Sequence, residues 1–323
     1  MTIPPYIVNS VRQACRWQWK QLMTGLGPAD AYGNYCRPKS NFILVPELPK
    51  ESAEVHQFVL IVGRSCPWAH RTWLVWSLRK LKEKIKLIIV VPDRKQGRWR
   101  FETPFQGLKS VSDLYKQCGA PPHQRATVPL LIDQKKMTIL CNESSQLVEL
   151  LSNWPASSDS PELMPFRHHT SIDQWANILQ YSVNDGVYRC GFARQQTAYN
   201  HAEEGLFSTL QKLEKTLRKG GPWICGNQLT LADVLLFPTL IRWEIVYAPL
   251  FGCSRQFLWQ FPAIWNWRQR LFSLPGVAES CDGQAIVSDY FGSLFPLNPS
   301  GIIPASPCLT RLVLNPILRI NYD

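Results

Sequence analysis

A single cysteine closes the apolar run LIVGRSC at 60–66, and Pro67 and Trp68 open what reads as a helix. A thiol at the seam between a strand and a helix meets free N–H groups and the positive end of the helix dipole, which favour a thiolate. A thiolate is the form that attacks sulfur. Arg64 and Arg71 stand close in sequence and are expected to add positive potential. Position 69 is alanine, so no second cysteine completes a C-x-x-C pair and the partner thiol must come from outside. Two other stretches could serve such a partner. Thr127-Val128-Pro129 precedes an apolar strand; a cis bond there offers the Val128 backbone to a peptide-like ligand. Asn142-Glu143-Ser144-Ser145 opens another helix. Glu143 suits an ammonium group, and the Ser144 hydroxyl and N–H suit a carboxylate. Each stretch also has a plain reading: a small residue at a helix start, a strand-entry proline, a helix cap. Together they fit glutathione.

These residues need a scaffold. QFVLIV at 57–62 reads as a buried strand, and Pro67 falls where its missing N–H does no harm to a helix. Trp68, Thr72, Val75, Trp76 and Leu78 give that helix its contact positions, and RKLKEKIK at 79–86 reads as a solvated helix face. IKLIIVVPD at 85–93 is a second strand, so the pattern is β–α–β. A long segment, 94–127, holds a possible short helix near SVSDLYKQC. VPLLID and MTILC follow as strands around a turn, then a helix from Asn142. The order β–α–β–α–β–β–α is that of thioredoxin. The expected organisation is an arm at 1–55, an α/β thioredoxin-like N-terminal domain at 56–154, a linker at 155–166, an all-α C-terminal domain at 167–283 and an irregular extension at 284–323. In the helical half, Ala198, Leu206, Leu210, Leu213 and Leu217 recur at helical spacing before Gly220-Gly221. Thr230 and Asp233 form an acidic capping box before an apolar run.

The totals narrow the function classes. The chain has 323 residues, 45% hydrophobic and 18% charged, which suits a globular protein of one large or two ordinary domains. No run reaches the roughly 18 apolar residues that span a bilayer, and the N-terminus shows no secretory h-region. The N-terminus lacks acids before Asp30 and carries Arg12, Arg16 and Lys20, as a transit peptide does; Trp17, Trp19 and Leu22 look instead like helix-face residues of a folded arm. The net charge of +11 is scattered, so an anionic small substrate explains it better than nucleic acid or a membrane. The ten cysteines lack zinc spacing, and most sit among apolar neighbours as buried thiols in a reducing compartment, hence a cytoplasmic protein needing no metal and no nucleotide.

GRSCPWAHRT, TVPLL, NESSQLVELL, NDGVYRCGFA and NPSGIIP resemble the glutathionyl-hydroquinone reductases, the xi class of glutathione transferases. The resemblance runs from about Trp17 to Pro304. It implies Cys66 as catalytic nucleophile and Trp99, Arg125, Val128, Glu143 and Ser144 as the groups that hold glutathione. It implies three phenols in the second pocket: Tyr188 in NDGVYRCGFA, Tyr247 in RWEIVY, and Tyr290. The family's His-Tyr-Tyr run reads Asp289-Tyr290-Phe291 here, and APLFGCSRQ replaces a His-Phe-Lys-Cys-Asn-like segment. The family implies a homodimer acting on glutathionylated quinone-type molecules. Two other classes stay open: a glutathione-conjugating transferase or omega-type dehydroascorbate or thiol reductase, with Ser65 or a tyrosine activating the thiol; and a ligand carrier without turnover.

Overall fold

The computed structural model describes residues 3–38, 40, 42, 57–94 and 96–314. One mixed sheet has the order β4-β3-β2-β1-β5-β6. β1 (Phe58–Gly63) lies at its centre, parallel to β2 (Ile85–Asp93) and antiparallel to β5 (Leu130–Asp133). Val59 to Val62 are wholly buried, which explains why this strand reads as a continuous apolar run. β6 (Thr138–Cys141) closes one edge.

The segment after β2 differs from the expected long connection. β3 (Arg98–Phe105) and β4 (Leu108–Ser110) extend the sheet before α3 (Val111–Gln117) begins at a Ser110/Asp113 capping box. Only Phe101 and Phe105 of β3 are buried, so its alternation is too sparse to read as a strand. RKLKEKIK is not a helix face either. Lys80 takes a left-handed conformation, one short 3-10 turn follows, and β2 starts at Ile85.

α2 (Pro67–Leu78) is buried on almost every side. It packs against α4 (Ser144–Ser152) within its own domain and against α8 (Leu231–Leu240) of the helical domain. An element covered from both directions shows no clean apolar stripe.

The N-terminal arm carries α1 (Pro5–Leu26). Met23 is buried, Trp19 Nε1 donates to the Pro296 carbonyl at 3.0 Å, and Arg194 donates to the Met23 and Gly27 carbonyls. Trp17 and Leu22, expected to dock the arm, are exposed at 67% and 42%. Residues 43–56 of the arm lie outside the described residues, as do 315–323.

The helical domain begins with α5 (His169–Leu179), a π-helical turn at Gln180–Asn184 and α6 (Gly186–Gly191). α7 (Gln196–Gly220) and α8 follow; then a second π turn at Trp243–Tyr247, α9 (Ala248–Phe251) and α10 (Pro262–Phe272). The run Leu231–Phe251 is long and apolar enough to cross a bilayer, but it lies buried inside this domain. The extension from 284, read as irregular, starts with a helix, α11 (Gly283–Ser293), and has another, α12 (Leu309–Leu314). Asp282 caps α11 by accepting from the Ala285 N–H at 2.9 Å. The prolines that suggested irregularity come later, from Pro296 on.

The capping box at Thr230 holds more than one helix end. Asp233, fully buried, accepts from the Thr230 N–H at 2.9 Å, the Ile224 N–H at 2.9 Å and Trp267 Nε1 at 2.7 Å. Asp233→Ala strands these buried donors, each worth about 1–3 kcal/mol. The urea midpoint should fall by an amount corresponding to at least about 3 kcal/mol, with the slope unchanged.

Candidate active site

Cys66 is the N-cap of α2, extended at ψ 120°, and Pro67 is the first helical residue. Its Sγ lies 3.7 Å from the Val128 carbonyl, across the start of β5. Burial pushes the thiol up; the Ala69 and Trp68 N–H groups and the charges of Arg242 and Arg37 pull it down, and burial prevails. The helix start alone therefore does not yield the thiolate expected from sequence. The cations expected beside it have other neighbours. Arg64 turns to Glu102 and Asp282, at 3.4 and 3.3 Å. Arg71 lies buried, 4.5 Å from the Trp68 ring centroid. In the free protein, iodoacetamide labelling of Cys66 should rise about tenfold per pH unit between about pH 7 and 8.5, the slope of a thiol that titrates higher. Peptide mass spectrometry reads that slope; a plateau by pH 7 would mean a preformed thiolate.

Of the residues expected to hold glutathione, Val128 meets this sulfur through its carbonyl. The Val128–Pro129 bond is cis, as the reading required. Tyr115 Oη donates to the Thr127 carbonyl at 3.1 Å, and Asn142 Nδ2 donates to that hydroxyl at 2.9 Å, which fixes the loop. Trp99 on β3 leans over the end of β1 because residue 63 is glycine. A Cβ there would sit 2.7 Å from Trp99 Cη2 and 2.8 Å from Val128 Cγ2. Glu143 is the N-cap of α4 and accepts from the Ser145 N–H at 3.3 Å. Burial works to raise its carboxyl, but hydrogen bonds from Ser40 and Ser145 and the Arg37 charge hold it below the usual range. Ser144, the first residue of α4, is buried. Arg125 stands exposed on the loop before Thr127.

Three elements of the helical domain bring the tyrosines together. Tyr188 comes from α6, Tyr247 from the end of the second π turn and Tyr290 from α11. Tyr290 Oη is 2.6 Å from Tyr188 Oη and 3.2 Å from Tyr247 Oη. Burial pushes all three phenols up, so they remain proton donors. The Tyr188 ring stacks on Trp68, two residues past Cys66, with centroids 6.0 Å apart. Phe251, in the segment that departs from the family, packs 5.3 Å from both Tyr188 and Tyr247. The altered segment thus supplies a wall of the tyrosine cluster.

Sequence reasoning missed the polar layer behind the sulfur. Arg242 and His70 are fully buried there, and Asp289 hydrogen-bonds Ser65. Burial pushes the Asp289 carboxyl up. The available signal was Arg242 itself, a lone cation at the end of the apolar run LLFPTLI. Among the described residues, no group of three His, Cys, Asp or Glu is placed to hold a metal.

Comparison with known proteins agrees with this architecture. Residues 196–270 match the model of the glutathione S-transferase C-terminal domain. The chain is 33% identical to the glutathionyl-hydroquinone reductase YqjG of Escherichia coli, over 79% of this chain and 80% of that protein. It is 32% identical to the glutathionyl-hydroquinone reductase PcpF of Sphingobium chlorophenolicum, over 79% and 84%. The xi glutathione transferase of Phanerochaete chrysosporium superposes with a TM-score of 0.80 at 30% identity, over 86% of this chain and 94% of that one. The glutathione-bound structure of YqjG superposes at 0.74, over 86% and 96%. With this identity, coverage and fold, the chain belongs to the glutathionyl-hydroquinone reductases, the xi class of the glutathione transferases.

Proposed function

We propose that the protein removes glutathione from glutathionyl-hydroquinones through a mixed disulfide on Cys66. The observation that carries this reading is a lone thiol 3.7 Å from the carbonyl before a cis proline, with the Tyr188–Tyr290–Tyr247 cluster stacked beside it through Trp68. The Cys66 thiolate attacks the glutathione sulfur, and the bond from that sulfur to the ring carbon breaks. The ring keeps the electron pair and takes a proton from a tyrosine or water, leaving as hydroquinone. A second glutathione thiolate then attacks the mixed disulfide, releases oxidised glutathione and restores Cys66. A tyrosine hydroxyl that donates to the ring oxygen stabilises its charge. Trp99, Arg125, Val128, Glu143 and Ser144 hold the glutathione unit. No metal, nucleotide, nucleic acid or membrane enters the scheme.

Ser65 is a poor activator for a conjugating transferase: it is buried, its carbonyl is taken by Arg242 and its hydroxyl serves Asp289. We take the setting to be reducing and cytoplasmic, as expected for cysteines that sit mostly among apolar neighbours. We take the working form to be a homodimer, as sedimentation would show. The test is glutathionyl-menadiol with excess glutathione. One free hydroquinone should appear per oxidised glutathione, and a quenched reaction should carry glutathione on the Cys66 peptide. Bound glutathione without turnover would favour a carrier.

A further inference from the structure

Arg242 is a fully buried charge at the junction of the two domains. Its Nε and Nη2 both donate to the Ser65 carbonyl, at 3.2 and 3.0 Å. Its Nη1 donates to the Pro238 carbonyl at 2.7 Å and to His70 Nδ1 at 3.0 Å. An acceptor at Nδ1 places the imidazole hydrogen on Nε2, which donates to Ser280 Oγ at 2.8 Å. Ser280 Oγ in turn donates to the Val277 carbonyl at 2.6 Å. Burial, and then the Arg242 charge, hold His70 neutral. The guanidinium is thus gripped by neutral groups from the loop before α2, from α2 itself and from α8, and the turn before α11 holds the imidazole behind it. Among the described residues no carboxylate forms an ion pair with it. A buried cation without a counter-charge is costly. An anion formed next to it offsets that cost, and the residue after the gripped carbonyl is Cys66.

We infer that Arg242 is a positioning residue that stabilises the Cys66 thiolate from across the domain junction, by binding the carbonyl of Ser65. The consequence for turnover rests on the reading of Cys66 as nucleophile. The titratable and charged groups around the sulfur are His70 and Arg71 on its own helix, Arg242 and Tyr247 from the α8–α9 region, Tyr290 and Asp289 from α11, and Arg37 from the arm. His70 and the phenols are neutral. Asp289 is engaged by Ser65 and lies near Arg94. Arg71 and Arg37 are the competing cations: Arg71 is buried against the Trp68 ring, and the Arg37 side chain is 29% exposed and paired with Asp185 at 3.2 Å.

Iodoacetamide labelling across pH separates these roles, with the exposed Cys15 and Cys308 as internal controls. Arg242→Gln should slow Cys66 labelling at about pH 8 by about tenfold or more, one unit of titration or above, and leave both controls unchanged. Arg242→Lys should regain most of the loss, and Arg37→Gln should produce a smaller one. A folded Arg242→Gln variant with an unchanged Cys66 profile overturns the inference. If that variant does not fold, the unaltered protein still decides. A buried cation escapes ionic screening, so Cys66 labelling should hold within about twofold between about 0.05 and 1 M salt. A severalfold fall assigns the effect to exposed Arg37 instead. Loss of labelling in Arg242→Gln, together with full turnover by Cys66→Ser, would leave this inference standing and remove the nucleophile reading.

Discussion

Cys66→Ser should lower release of hydroquinone from glutathionyl-menadiol by about three orders of magnitude or more, the scale of losing a covalent nucleophile. No other thiol is placed to replace it. Cys141 is buried, and burial pushes it up to about 11; Cys281 is pushed up to about 12 by the same cause. Position 69, where a resolving cysteine would stand one turn on, is alanine. Glutathione affinity should change little, because the contacts proposed for Glu143 and Ser144 are made at the start of α4 and not through the sulfur. Titration calorimetry beside the turnover assay separates the two effects. Retained turnover in the serine variant would rule out the mixed-disulfide route. Lost turnover with lost glutathione binding would mean that the substitution disturbed the site rather than its chemistry.

How much of this was legible in the sequence depended on whether the signal was local. Cys66 at a strand–helix seam, Pro129 before a strand and Glu143 at a helix start are each short local patterns, and the structure joins Cys66 to Val128 as expected. The capping box at Thr230 was equally local. What escaped depends on contacts between distant segments. Burial of the thiol in the folded chain reverses the local argument for a thiolate, and no spacing near residue 66 reveals it. Arg242 sits 176 positions beyond Cys66 and meets its neighbour only because α2 packs on α8. β3 was missed because it is largely exposed, and α11 because later prolines coloured the reading of the whole tail. Tyr188, Tyr247 and Tyr290 came from family resemblance, since three tyrosines spread over 103 positions have no periodicity that links them.

Tyr290→Phe tests whether those phenols act on the ring. Three hydroxyls bring three hydrogens. Two of them are used in the contacts of 2.6 and 3.2 Å that meet at Tyr290, so one remains to donate outward. The centre of the chain is the position whose loss unlinks both neighbours. Removing it should slow hydroquinone release by about 10²-fold, the scale of one lost donor at a charge-forming oxygen. Tyr188→Phe and Tyr247→Phe break one contact each and should cost less. The decisive measurement divides the cycle. Reduction of a preformed Cys66–glutathione disulfide involves no ring, so its rate should be unchanged in Tyr290→Phe, while single-turnover release of hydroquinone slows. If both half-reactions slow equally, Tyr290 serves packing of α11 against the π turn and the proton must come from water. If only ring release slows, the cluster is the acid side of the site.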